Sequence, residues 1–166
     1  SGGPALAGHA LKMSNPSVVN AWEAQTAYDI NPTEVGKEYV LKIVARGSKA
    51  GNIGIDLQTT SNYTGDNMGA LALTTNYKEY ELKATATAAR NRFIINFGQY
   101  DGTIFIDKVV LTKTGSSTSL IANSDFENNI DGWFGWGNNS SRAQSANGEG
   151  YGSPGGSTVE KTAAEK

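Results

Sequence analysis

The chain contains no cysteine and a single histidine, His9, among 166 residues. Disulfide frameworks, thiolate metal sites and cysteine nucleophiles are excluded. One histidine cannot build a histidine-rich zinc site, and nothing beside it suggests a catalytic triad. Charge is scarce too. Only 18% of residues are charged, and 14 basic against 16 acidic side chains leave a formal charge of −2. That balance gives no reason to expect nucleic acid or an anionic membrane as partner. No apolar run approaches the roughly 18 residues of a membrane helix, so no membrane insertion is expected. Nucleophile-elbow, phosphate-loop and HExxH patterns are missing, and the acidic residues are scattered. The chain does not read as an enzyme. No signal-peptide pattern is read at the start, and the opening Ser1-Gly2-Gly3-Pro4 reads as a cut point or a cloning remnant, behind which a signal could have been lost.

What the sequence has instead is glycine, 20 of them, with many asparagines, serines and threonines. Such a surface is polar through amides and hydroxyls rather than ions. It suits neutral, hydroxyl-rich ligands and life outside the cell, so a secreted or cell-surface bacterial protein is expected.

Short segments with period-two alternation fill the centre of the chain. In 39–46, Tyr39, Leu41, Ile43 and Ala45 share one face. In 52–58, Ile53, Ile55 and Leu57 point one way and Gly54, Asp56 and Gln58 the other. In 92–97, Phe93, Ile95 and Phe97 oppose Arg92, Ile94 and Asn96. Residues 10–13, 26–30, 77–85 and 103–111 read as further strands. The alternation slips at Asp107-Lys108, which predicts a bulge. Turn signals such as Asn31-Pro32, Arg46-Gly47-Ser48 and Asp101-Gly102 separate the runs. This pattern predicts an all-β, antiparallel β-sandwich of jelly-roll type. Helix formers without an apolar stripe occur only in 158–166.

The chain divides into a strand-rich part (1–111), a flexible linker (112–119), a segment 120–156 that opens on Leu120-Ile121 as a short strand, and a polar tail (157–166). No internal repeat is visible, so the third segment reads as a missing piece of the first.

Binding chemistry has several candidates. The indole of Trp22 could take the apolar face of a sugar ring while Gln25 bonds to hydroxyls. An ordinary core tryptophan is the competing reading. Tyr63 stands in a loop of small polar residues. Asn96 lies on the polar face of its strand, and Gln99 and Tyr100 follow at the strand end, where a packed turn tyrosine competes. Gln58 is a further hydroxyl-binding candidate. Asp107 and Glu127 each follow apolar residues and could share a calcium ion with backbone carbonyls, although spacing alone does not propose one. Trp133 is assigned to the core and Trp136 to partial exposure.

Together, Asn-Ser-Asp-Phe-Glu with Asp-Gly-Trp in 123–133, His-Ala-Leu-Lys-Met in 9–13, Ala-Trp-Glu-Ala-Gln in 21–25, and the runs 35–47 and 95–111 resemble carbohydrate-binding module families 4 and 22. The likeness is greatest to modules inserted in family 10 xylanases of gut Bacteroidetes. It spans nearly the whole chain except linker and tail. The resemblance implies a non-catalytic module that binds β-1,4-xylan or xylo-oligosaccharides in a cleft and targets a linked xylanase. Mixed-linkage β-glucan binding, or a spacer sandwich without ligand, are the alternatives. It implies ligand contacts at Trp22, Gln25, Tyr63, Gln58, Asn96, Gln99 and Tyr100, and a structural calcium at Glu127 and Asp107. In these families the Asp-Phe-Glu segment comes first, whereas here it comes last. The C-terminal segment must therefore supply the first strands, either to its own chain as in a circular permutant or to a neighbour by strand exchange. A short linker favours the self-completed monomer.

Overall fold

A computed structural model describes residues 6–151. The helix formers of 158–166 and the boundary between residues 156 and 157 lie outside them. The described residues form ten strands: β1 (Leu11–Asn15), β2 (Gln25–Asp29), β3 (Glu38–Gly47), β4 (Gly51–Gln58), β5 (Gly65–Leu73), β6 (Lys78–Thr85), β7 (Arg92–Asn96), β8 (Gly102–Lys113), β9 (Trp133–Trp136) and β10 (Ser141–Gln144). One short 3-10 turn, Ala21–Glu23, precedes β2.

The strands make two five-stranded antiparallel sheets. The first has the order β10-β1-β8-β3-β6 and the second β5-β4-β7-β2-β9. Alternation decides which face each sheet buries. Leu41 and Ile43 of β3, and Ile104 and Ile106 of β8, meet Ile53, Ile55 and Leu57 of β4 and Phe93 and Ile95 of β7 in one apolar core. The architecture is the antiparallel sandwich expected from the strand pattern.

The expected bulge falls at Asp107. Val44 pairs with Lys108 and Ala45 with Ile106, so Asp107 is the extra residue on β8. Asp107 and its neighbour Ile106 are both wholly buried, Asp107 beneath the C-terminal segment, where its Oδ1 accepts from the Tyr151 N–H.

The C-terminal segment closes both sheets of its own chain. β9 pairs with β2, Trp133 opposite Tyr28 and Trp136 opposite Gln25. β10 pairs with β1, Leu11 opposite Gln144. Between the linker and β9 the chain drops Phe126 into the core. There it lies against the Trp133 ring at 5.4 Å between centroids. Trp133 also meets Phe93 edge-on at 5.9 Å and Tyr28 at 5.0 Å. Its indole N–H donates to the Asn123 carbonyl at 2.9 Å, so a large apolar ring is buried without stranding its polar atom. Trp133 is a core residue, as its motif suggested. The expected strand at Leu120-Ile121 does not form. Leu120 makes one backbone bond, its N–H donating to the Leu111 carbonyl at 2.8 Å. Ile121 is buried as a plug, because the chain must turn there to reach the core.

One ion pair is nearly buried. Arg90, 4% exposed, donates from Nε to Asp66 Oδ2 at 3.0 Å and from its terminal nitrogens to Thr59, Thr64 and Thr87 hydroxyls at 2.8–3.0 Å. This fork ties both ends of the β4–β5 loop to the segment before β7. Burial opposes the charge on Asp66, but hydrogen bonds from Arg90 and Thr87 outweigh it and hold the carboxyl below its usual range. A folded pKa below the unfolded value adds stability at neutral pH that is lost as pH falls through the folded value.

Two outcomes are expected. Light scattering gives the mass of a 17.5 kDa monomer, and a stable dimer would instead indicate strand exchange. Asp66→Asn leaves the Arg90 charge unpaired and lowers stability at neutral pH by about 3–5 kcal/mol in urea titrations. Between roughly pH 5 and pH 2 the native protein loses stability more steeply than this variant.

Candidate functional site

The second sheet presents its outer face as rows of side chains set by register. One row runs Ala70, Gly54, Asn96, Gln25 and Trp136 across β5, β4, β7, β2 and β9. The next runs Asn67, Asp56, Ile94, Ala27 and Phe134. A third carries Gln58, Arg92 and Asp29. The inward residues between them, Ile55 and Leu57, Phe93 and Ile95, are core. Alternation therefore leaves a shallow polar floor with the Phe134 and Trp136 rings at its β9 edge.

A hydrogen-bonded chain crosses this floor. Asn67 Nδ2 donates to Asp56 Oδ1 at 2.9 Å, Asn96 Nδ2 donates to Asp56 Oδ2 at 2.7 Å, and Gln25 Nε2 donates to Asn96 Oδ1 at 2.7 Å. The carboxylate sets every orientation. An ionised Asp56 only accepts, so Asn96 must face it with its amide nitrogen and present its oxygen to Gln25. Gln25 must then donate, which leaves its own oxygen for a ligand hydroxyl. Asn96 is only 8% exposed. It positions the neighbouring groups more than it reaches out.

Aromatic side chains stand at both ends of the strands that carry the floor. Trp22 sits on the 3-10 turn at the Gln25 end and is 64% exposed. Asn20 and Glu23 hold that turn. The Glu23 N–H donates to the Asn20 carbonyl at 2.9 Å, and the Asn20 N–H to Glu23 Oε1 at 3.0 Å. The competing core reading of Trp22 is thereby set aside. Tyr63, 75% exposed, sits in the β4–β5 loop at the Gln58 end. Its φ is +61°, a left-handed conformation that costs a non-glycine residue about 1–2 kcal/mol. The loop sustains it through the Tyr63 N–H bond to the Thr59 carbonyl at 2.7 Å and through the Arg90 fork. A strained, solvent-facing tyrosine gains nothing for the core, which directs attention to its ring as a contact surface. From the Gln25–Asn96 pair to the Asp29–Arg92 pair is four residues, roughly 13 Å of strand. A cleft walled by Trp22 and Tyr63 would cross the strands.

Trp136 and Phe134, 39% and 36% exposed, extend the face beyond what the sequence reading assembled. Their rings are 5.9 Å apart. The Arg92 guanidinium lies 5.0 Å from Phe134 and 5.8 Å from Trp136. Asp29 fixes that guanidinium at 2.6 and 3.2 Å. The signal was present in Trp-Phe-Gly-Trp: with Trp133 inward, period two turns Phe134 and Trp136 outward.

Gln58 shares the outer face with Arg92, and Gln99 is exposed in the turn after β7. Tyr100 departs from the expectation. It is 2% exposed and packs in the core. Its hydroxyl accepts from the Lys49 N–H at 3.0 Å and donates to the Lys49 carbonyl at 2.8 Å. The turn at Gly98 and Gln99 reverses the chain, so Tyr100 closes the β3–β4 connection instead of joining the face.

Asp107 and Glu127, far apart in sequence, converge on the Gly8-His9 backbone and Gly150. The His9 N–H lies 3.2 and 3.3 Å from the two Glu127 oxygens. A Cβ on Gly8 would fall 2.7 Å from both of those oxygens. Asp107 Oδ1 accepts from the Tyr151 N–H at 2.8 Å. A Cβ on Gly150 would meet both Asp107 Oδ1 and the His9 carbonyl at 3.0 Å. Among the described residues no three His, Cys, Asp or Glu side chains gather as a metal site. An ion here would combine two carboxylates with backbone carbonyls, an all-oxygen set that fits calcium chemistry.

No protein-family model and no curated protein matches the chain. Solved structures do match. One is PbXyn10C CBM in its apo form, with a TM-score of 0.74 and 22% identity over 85% of this chain and 89% of that one. Another is BiXyn10A CBM1, also apo, with a TM-score of 0.51 and 29% identity over 62% and 72% of the two chains. A CBM4 structure gives a TM-score of 0.53 at 19% identity over 63% and 70%. The structural neighbours of this chain are carbohydrate-binding modules, and it has their β-sandwich fold.

Proposed function

We propose that this chain is a non-catalytic carbohydrate-binding module that holds β-1,4-xylan or xylo-oligosaccharide chains and keeps a linked xylanase near its substrate. The observation that carries this reading is the outer face of the second sheet. Exposed Trp22 and Tyr63 stand at its two ends, and the oriented Gln25–Asn96–Asp56–Asn67 chain lies between. Sugar rings offer apolar C–H faces and equatorial hydroxyls. The aromatic side chains suit the faces, and the amides suit the hydroxyls. Each stacking contact contributes on the order of 1–3 kcal/mol by analogy with base–aromatic stacking. Asp56 is spent on orienting amides and Arg92 on Asp29, which favours a neutral glycan over a charged one. Two of the structural neighbours carry Xyn10 names, in keeping with xylan and with a secreted or cell-surface enzyme as host. Mixed-linkage β-glucan is the ligand to set against xylan in a binding screen.

A structural calcium at Asp107 and Glu127 belongs to the same proposal. It would be held by these carboxylates together with nearby backbone carbonyls, and its role would be to fasten the chain's first described residues to the C-terminal segment. It takes no part in glycan binding, which lies on the other sheet.

Trp22→Ala weakens binding to xylohexaose by roughly 10–100-fold in calorimetry, and unchanged affinity would show that the cleft is misplaced. A calcium chelator lowers the melting temperature, and restored calcium raises it again. An unchanged melting temperature would count against the ion.

A further inference from the structure

Seven glycines lie within the described strands: Gly47, Gly51, Gly54, Gly65, Gly69, Gly102 and Gly135. Six have a reason inside the protein. A Cβ on Gly47 would overlap the Tyr100 hydroxyl, and one on Gly51 would lie 2.8 Å from the Tyr100 ring. On Gly65 it would meet the Leu57 carbonyl at 2.8 Å, and on Gly102 the Ser48 hydroxyl at 2.7 Å. On Gly135 it would overlap the Gln25 carbonyl. Gly69 has φ +126° and absorbs the β4–β5 irregularity, where Ile55 pairs with Gly69 but Asp56 with Asn67.

Gly54 has no such reason. Its φ lies outside the left-handed region, and a Cβ there would meet nothing nearer than Asn96 Cβ at 4.0 Å. A Cβ would fit there without displacing anything. Glycine in mid-strand weakens the strand and commonly marks close approach by a ligand or another backbone. Gly54 is also placed where such approach matters. It stands directly opposite Asn96 on the outer face, in the row that holds Gln25 and Trp136.

We infer that Gly54 is a specificity-determining residue of the binding face: its missing side chain lowers the floor so that a pyranose ring can rest on the β4 backbone beside Asn96. This inference rests on the proposed glycan reading and adds a steric element to it. The Gln25 amide, held by Asn96, can then make its bonds to ring hydroxyls directly. A branched side chain at 54 would lift the ring by more than a methyl radius and break those bonds without disturbing the fold.

The experiment compares the native chain with Gly54→Val, Gly54→Ala and Trp22→Ala, using calorimetry with xylohexaose and thermal melts. The expected result is a melting temperature for Gly54→Val equal to or above that of the native chain, with affinity at least tenfold lower. Gly54→Ala is expected to fall between. Native-like affinity in a folded Gly54→Val, while Trp22→Ala is impaired, overturns this inference and leaves the glycan reading standing. Markedly lower melting temperatures for both glycine variants overturn it as well, because the glycine would then serve the fold. No binding of any glycan by the native chain overturns the reading and this inference together.

Discussion

The sandwich depends on the return of its C-terminal segment. β1 and β2 each need a partner on their outer edge, and β10 and β9 supply one to each sheet. Left unpaired, two strand edges would expose backbone donors and acceptors to any passing strand. The contact that fixes this return is apolar. Phe126 and Trp133 enter the core from the displaced segment; they pack on each other, and Trp133 packs on Phe93 and Tyr28 of the main part. Burying two large aromatic side chains contributes several kcal/mol by area, roughly 1.5–3 each. The same contacts set the register of β9 and so decide where Phe134 and Trp136 emerge. Core packing and the composition of the proposed binding face are thus coupled through one four-residue strand.

The face itself joins rigidity to controlled exposure. Its floor belongs to strands whose inward residues are locked in the core, so amide positions are held within narrow limits. Asp56 converts that rigidity into chemistry. Its two oxygens accept from Asn96 and Asn67, and the orientation passes on to Gln25. The proposed walls are different in kind, being short segments outside the sheet. The Trp22 turn is held by Asn20 and Glu23, and the Tyr63 loop by the Arg90 fork. A buried cation serving three threonines and one aspartate is a costly device for a surface loop. It is understandable where the loop must hold a tyrosine at positive φ.

Much of the fold was legible because period two maps alternate residues to opposite faces. The outward set of β4 and β7, including Asp56, Gln58, Arg92 and Asn96, follows from that rule alone. The bulge at Asp107 was visible as a slip in the same rule. Legibility failed where alternation ends. Tyr100 follows a turn, and no local rule says on which side of the sheet a turn returns its third residue. Leu120-Ile121 looked like a strand because both are apolar, yet they plug the core between turns. Trp136 was expected to be partly exposed and Trp133 buried; Phe134 could have been placed outward by the same period-two count from Trp133.

The sequence by itself determined the all-β class, the alternation that builds two half-buried sheets, and the exclusion of thiol chemistry. These are local or compositional properties, and each can be read from a few neighbouring residues. The tertiary structure alone decided that the C-terminal segment pairs with its own chain. It also decided that Glu127 lies against Gly8 and His9 and Asp107 against Gly150, and that Gln25, Asn96, Asp56 and Asn67 form one chain of hydrogen bonds. Those facts require strands distant in sequence to lie side by side. The register that brings them together is set by core packing on the opposite face, which no stretch of sequence contains on its own.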